Sequence, residues 1–245
     1  MRERTRPALA ALSFLTAVPV GRAEVSARDL RRGAVLFPVV GAAVGALVAA
    51  VAWGAEFVVP PFAAAVLGVA TGVAVTAGFH LDGLGDVADG IGASLTGREP
   101  VHAMRDPRLG TFGVAAVTLD LLLKASLISA LVIVGFPWAA VAAGALSRAA
   151  PIVLAWRLPY AGGGTGGWTD DIGVGTTIVA STLALAIAVP SAGLAAAGMA
   201  VAVVVVSVPI AWWSKRRIGG MTGDGFGAAA ELGETLALVT AVAMR

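Results

Sequence analysis

Ala34-Val-Leu-Phe-Pro-Val-Val-Gly41-Ala-Ala-Val-Gly45-Ala-Leu-Val-Ala-Ala-Val-Ala-Trp-Gly-Ala-Glu56-Phe-Val58 carries a single charge in 25 residues. At a rise of about 1.5 Å per residue, a helix of that length crosses the roughly 30 Å of hydrocarbon in a bilayer. Six further apolar runs follow, at residues 61–79, 112–135, 138–156, 176–190, 193–213 and 227–244. The run at 176–190 is short, and Glu231 and Glu234 interrupt the last, so the expected count is six to seven spans. Composition agrees: 58% of the 245 residues are hydrophobic and 13% charged, with a mean hydropathy of +0.89. Such a balance excludes an ordinary soluble domain and predicts an all-α, polytopic membrane helix bundle.

No Pro-, Ser- or Gln-rich linker divides the chain, and each span needs neighbours for its small-residue faces. Residues 1–245 therefore read as a single integral membrane domain. Gly41-x3-Gly45 and Gly68-x3-Gly72 have the spacing for close helix contact. The absence of cysteine rules out disulfide frameworks and thiolate metal sites.

The basic residues set the orientation. With a cytosolic amino terminus, the polar connections at 1–33, 80–111, 157–175 and 214–226 share one side. They hold Arg2, Arg4, Arg6, Arg22, Arg28, Arg31, Arg32, Arg98, Arg105, Arg108, Arg157, Lys215, Arg216 and Arg217, or 14 of the 17 Lys and Arg residues. The opposite connections, around Pro60-Pro61, Gly135-Phe136-Pro137 and Pro190-Ser191, hold none, which is the positive-inside pattern. Residues 1–33 are expected to be cytosolic or interfacial, with an interfacial helix ending near Pro19. The arginines after Pro19 argue against a cleaved signal peptide.

The cytosolic face carries three polar clusters. In His80-Leu-Asp82-Gly-Leu-Gly-Asp86-Val-Ala-Asp89-Gly90, about 100° per residue places the three carboxylates within roughly a 60° arc of a helix. Like charges so stacked repel unless a cation lies between them. Oxygen ligands without thiols favour Mg²⁺, usually completed by water and phosphate oxygens. His80 is a general base, a substrate contact or an interfacial structural residue. In Met104-Arg105-Asp106-Pro107-Arg108-Leu109-Gly110-Thr111-Phe112-Gly113, Arg105 and Arg108 suit phosphate oxygens or simple membrane anchoring, and Asp106 is a further metal ligand or an arginine partner. The third cluster is Gly219-Gly-Met-Thr222-Gly-Asp224-Gly-Phe-Gly227, with a hydroxyl at Thr222 and another carboxylate at Asp224. Within the spans, Asp120 and Lys124 are spaced for an ion pair, and Arg148 either pairs with a span carboxylate or reaches an anionic substrate. The Gly162–Gly167 run is read as a flexible loop and Asp170-Asp171 as solvated.

Phe14-Leu-Thr-x2-Pro19, the His80–Gly90 aspartate motif, Gly110-Thr-Phe-Gly113 with Arg105-Asp106 before it, and Met221-Thr-Gly-Asp224 occur in this order. In that combination the chain resembles the cobalamin synthase family, also called adenosylcobinamide-GDP ribazoletransferases. Gly85, Val87 and Pro107 depart from the family's pattern without touching the carboxylates. The resemblance implies a Mg²⁺-dependent transferase of the bacterial inner membrane, with its active site on the cytosolic face. Such an enzyme joins adenosylcobinamide-GDP to α-ribazole or its 5′-phosphate and releases GMP. Asp82, Asp86, Asp89 and Asp106 would be metal ligands, His80 and Asp224 catalytic, and Arg105, Arg108, Thr222 and Arg148 substrate contacts. A nucleic acid is not an expected partner; a second copy of the chain is admissible. The aspartates also suit a CDP-alcohol phosphotransferase, although the later spacing fails. A transporter built on Asp120, Lys124 and Arg148 is the reading from another class.

Overall fold

The computed structural model describes residues 5–20, 26–162 and 167–245. Arg2, Arg4 and Arg22 of the basic count, and residues 163–166 of the glycine-rich loop, lie outside the described residues. Eleven α-helices occur among the described residues. A short α1 (Arg6–Leu15) and α2 (Ala27–Gly33) precede α3 (Phe37–Ala55) and α4 (Pro61–Thr76). Then come α5 (Phe79–Leu95), α6 (Pro100–Met104) and α7 (Thr111–Ile133). The chain ends with α8 (Ala139–Arg157), α9 (Val174–Ala192), α10 (Ala195–Arg217) and α11 (Gly223–Ala243). Proline opens α1, α3, α4 and α6, where a missing N–H leaves no bond unmade. Ser26 and Asp29 close a capping box on α2.

Six helices are long and apolar enough to cross a membrane, or seven when α4 and α5 count as one broken span. α8 is the hub, with 78% of its apolar window buried, and it packs on α3, α9, α10 and α11. The α3–α8 contact depends on glycine. A Cβ at Gly41 would lie 2.2 Å from the Gly144 carbonyl oxygen, one at Gly45 2.1 Å from that of Ala140, and one at Gly144 2.2 Å from that of Gly41. Gly68 and Gly72 play the same part against Val48. Both small-residue pairs read from the sequence are therefore packing motifs.

Two boundaries differ from the sequence reading. The apolar run 176–190 becomes a 19-residue helix that continues through Pro190, and the turn falls at Gly193. A proline in the last turn clashes only with the turn before it, so the helix survives to Ala192. The run 61–79 is not one helix. It breaks after Thr76, where Ala77 (φ 51°) and Gly78 (φ 67°) adopt left-handed backbone, and α5 leaves at 90° to α4. We read α4 as the second crossing and α5 as turned away across the end of the bundle. The polar segment 80–111 thus forms α5, α6 and their connections.

Candidate active site

The 90° bend gives the aspartate motif its place. Asp82, Asp86 and Asp89 all lie on α5, which buries Gly83 and Gly85 on the flanks of that stripe and Leu84 and Val87 behind it. The amino terminus of α11 packs directly on that helix: a Cβ at Gly83 would lie 2.8 Å from the Asp224 carbonyl oxygen and 3.0 Å from its Cα. Asp224 thereby joins Asp82 and Asp86, although 138 residues separate Asp224 from Asp86 in the chain. Burial, and then the negative charges of Asp224, Asp82 and Asp89, push the Asp86 carboxyl up to about 7. Asp82 is exposed; Asp86 and Asp224 are half-buried.

Asp89 is turned to another task. The Gly110 and Gly113 N–H groups donate to its two carboxylate oxygens, at 2.7 and 2.9 Å. These amides start α7, so Asp89 caps that helix from outside its own element. Glycine is needed on the other side, because a Cβ at Gly113 would lie 2.4 Å from Asp89. Asp106 is not gathered with the α5–α11 carboxylates. Its oxygens accept from the backbone N–H, Nε and Nη2 of Arg108, each at 3.0 Å. That pairing holds its carboxyl down to about 2. Arg105 is exposed, and Thr222 is the cap of α11, its hydroxyl accepting from the Gly225 N–H at 3.1 Å.

Two residues expected at the site are buried beneath it. Arg148 is 5% exposed, paired with Glu234 and donating to the Ser147 hydroxyl at 2.9 Å. Lys124 pairs with Asp120 at 3.2 Å and also with Glu231, and the Thr235 hydroxyl donates to Asp120. These groups from α7, α8 and α11 form one network of three carboxylates and two cations. Of the two readings of Arg148, the structure displays the ion pair with a span carboxylate, since a guanidinium in the bundle interior needs a counter-charge and Glu234 provides it. His80 is 4% exposed, backs onto Gly227, and is walled by Phe79, whose ring centroid lies 5.3 Å away. Its Nδ1 has no hydrogen-bond partner among the described residues. It lines a small interior cavity with Phe14, Arg148, Trp168 and Phe226.

Among the described residues no three His, Asp or Glu side chains close around one metal position. Asp82 and Asp86, one turn apart on α5, still fit Mg²⁺, which commonly takes one or two protein carboxylates and fills its octahedron with water and phosphate. Sequence reasoning missed the interior role of Glu231 and Glu234, which it took only as interruptions of a span. Their spacing with Thr235 on one helical face was the available signal.

The profile of the family described as Cobalamin-5-phosphate synthase matches residues 7–242. A protein of Azorhizobium caulinodans called adenosylcobinamide-GDP ribazoletransferase is 37% identical over 239 residues, covering 92% of this chain and 90% of its own. Relatives with the same name from Klebsiella pneumoniae subsp. pneumoniae (36% over 241 residues, 94% and 96% covered) and Chlorobaculum tepidum (37% over 232 residues, 91% and 90%) are similar along their length. No solved structure matches the chain.

Proposed function

The chain belongs to the cobalamin-5-phosphate synthase family, and from that premise we infer that it carries adenosylcobinamide-GDP ribazoletransferase activity in cobalamin biosynthesis. A ribose hydroxyl of α-ribazole, or of its 5′-phosphate, attacks the phosphorus that bears the cobinamide. The new P–O bond forms as the bond to the bridging oxygen breaks, GMP leaves with that oxygen, and the hydroxyl proton passes to a base. Adenosylcobalamin or its 5′-phosphate is the product.

Asp82 and Asp86 would hold a divalent cation of the Mg²⁺ class, which when bound offsets the charge of the diphosphate and of departing GMP. Asp224, carried to the same mouth by α11, is our choice for orienting the acceptor hydroxyl and taking its proton. It is half-buried beside Asp82 and Asp86, whereas His80 is fully buried. Arg105, exposed and without a carboxylate partner among the described residues, is available to diphosphate oxygens. The observation that carries this assignment is the juxtaposition of Gly83 with Asp224. It brings two separate Asp-Gly motifs together at one helix crossing.

The positive-inside pattern supports a cytosolic mouth in the inner membrane, where soluble nucleotide-activated substrates have access. The test is an assay on membranes carrying the protein, with adenosylcobinamide-GDP, α-ribazole with or without its phosphate, and Mg²⁺ against EDTA. Transfer should need the metal, and Asp82→Asn or Asp86→Asn should abolish it while membrane insertion persists. Undiminished transfer in EDTA or by both variants would remove the cation assignment.

A further inference from the structure

Two grooves meet α5 at different points along its length. The first, about 610 Å³, opens in the angle between α4 and α5 and is lined by Phe14, Thr16, Phe79, Asp82, Leu109 and Val117. The second, also about 610 Å³, is lined by Asp89, Arg98, Glu99, His102, Asp106 and Arg108, the last two paired with each other. Both volumes are those of small-molecule sites. The grooves differ in ionisable side chains. Asp82 is the one ionisable side chain of the first groove, whereas charged groups crowd the second. The connection before α7 divides them: Leu109 folds over α5 at Gly85, where a Cβ would meet its Cδ2 at 2.6 Å. Seven helical residues separate Asp82 from Asp89, about 10 Å along the axis.

The bend creates the first groove. With Ala77 and Gly78 left-handed, α5 swings away from α4 and leaves a concavity; a Cβ at Gly78 would meet nothing within 4 Å. The Phe14-Leu-Thr16 segment supplies the facing wall, where Phe14 and Phe79 meet edge to face with centroids 5.3 Å apart. Ala17 is tied to α4, its N–H donating to the Val75 carbonyl at 2.7 Å. The result is a slot walled by Phe14, Phe79, Leu109 and Val117, with the threonines Thr16 and Thr76 beside them and one carboxylate, Asp82.

On the transferase reading above, we propose that the two substrates occupy these two grooves, with the benzimidazole base of α-ribazole in the apolar one. A flat, uncharged heteroaromatic matches walls of phenylalanine and aliphatic carbon. Its ribose then faces Asp82. The guanosine diphosphate end of the corrinoid substrate takes the charged groove, where Arg98 and His102 meet phosphate. The transferring phosphorus lies between, at Asp86. Phe14 and Phe79 are thus specificity-determining residues for the acceptor.

The full-length protein in micelles allows two measurements, equilibrium dialysis of radiolabelled α-ribazole and steady-state kinetics with each substrate varied. Ala17→Trp fills the groove from an exposed position, and Phe79→Ala removes one wall. Each should weaken α-ribazole binding and raise its KM by about threefold to tenfold, with a smaller effect on the KM for adenosylcobinamide-GDP. Arg98→Ala should raise the KM for adenosylcobinamide-GDP more than that for α-ribazole. Free dimethylbenzimidazole should compete with α-ribazole alone. Unaltered α-ribazole binding and KM in a folded Ala17→Trp protein overturns the groove assignment. Wild-type protein that binds α-ribazole but transfers nothing overturns the reaction and leaves the groove standing.

Discussion

At the scale of single residues, Asp86 connects charge to metal binding. A carboxyl held near 7 against an unfolded value near 3.8 keeps its proton in the folded state where the unfolded chain has lost it. Ionising it costs stability, so the metal-free protein loses stability as pH rises from the unfolded value through about 7. A cation displaces that proton and binds better as pH rises. Mg²⁺ titrated calorimetrically should bind up to about tenfold more tightly at pH 8 than at pH 6, and Asp86→Asn should flatten the difference. The same affinity at both values would mean that the metal sits elsewhere. The interior pair behaves differently. Arg148→Met leaves Glu234 buried without its cation and should destabilise the bundle by about 3–5 kcal/mol, with Arg148→Met/Glu234→Leu recovering much of that; thermal unfolding in micelles measures both. Asp82 and Asp86 were legible from periodicity, because spacing of i and i+4 puts side chains on one face of any helix. That Asp89 serves α7 was not, since nothing in an i+7 spacing says which neighbouring helix will present bare amides. Arg148 had two possible partners in the sequence, and only the packing of α8 on α11 decides for Glu234.

Helices contribute through where they lack side chains. Gly41 and Gly144 each place a carbonyl where the other's Cβ would be, so α3 and α8 touch backbone to backbone. Gly41→Ala or Gly144→Ala must push the helices apart along the most buried element, at a cost of about 1–3 kcal/mol. Gly54 in the same helix meets nothing within 4 Å, and Gly54→Ala should be neutral or stabilise by up to about 1 kcal/mol. Comparing the melting temperatures of the three variants checks the contact; a Gly41→Ala protein as stable as Gly54→Ala would contradict it. Six of the seven apolar runs appear as single helices because length and hydropathy suffice to define a crossing. The second run broke because no hydropathy plot registers a left-handed pair at Ala77-Gly78. Small apolar residues on both sides of the bend look like an unbroken span until α5 is seen to pack on α11.

Across the whole molecule, aromatic and basic side chains mark two edges of an apolar slab. Trp156 and Trp212 lie at one end with Arg157 and Arg216 stacked on their rings, 5.1 and 5.3 Å from the centroids. Trp53, Phe57 and Trp138 cluster at the other end. Between them Leu119, Leu122 and Leu123 of α7 and Val201, Val204, Val205 and Val208 of α10 are exposed, an apolar belt that only lipid would cover. The aspartate mouth belongs to the Trp156–Trp212 end, since α5 packs on the first turn of α11 directly after the basic end of α10. If that end is cytosolic, a membrane-impermeant thiol reagent will distinguish the two faces, and the chain's lack of cysteine provides a clean background. Leu194→Cys, 92% exposed in the turn between α9 and α10, should label in right-side-out vesicles, and Leu95→Cys, 74% exposed at the end of α5, only in inverted ones. Labelling in the reverse sense would invert the topology. The mouth would then face away from nucleotide pools, and the transferase would need a substrate supply on the other side of the membrane.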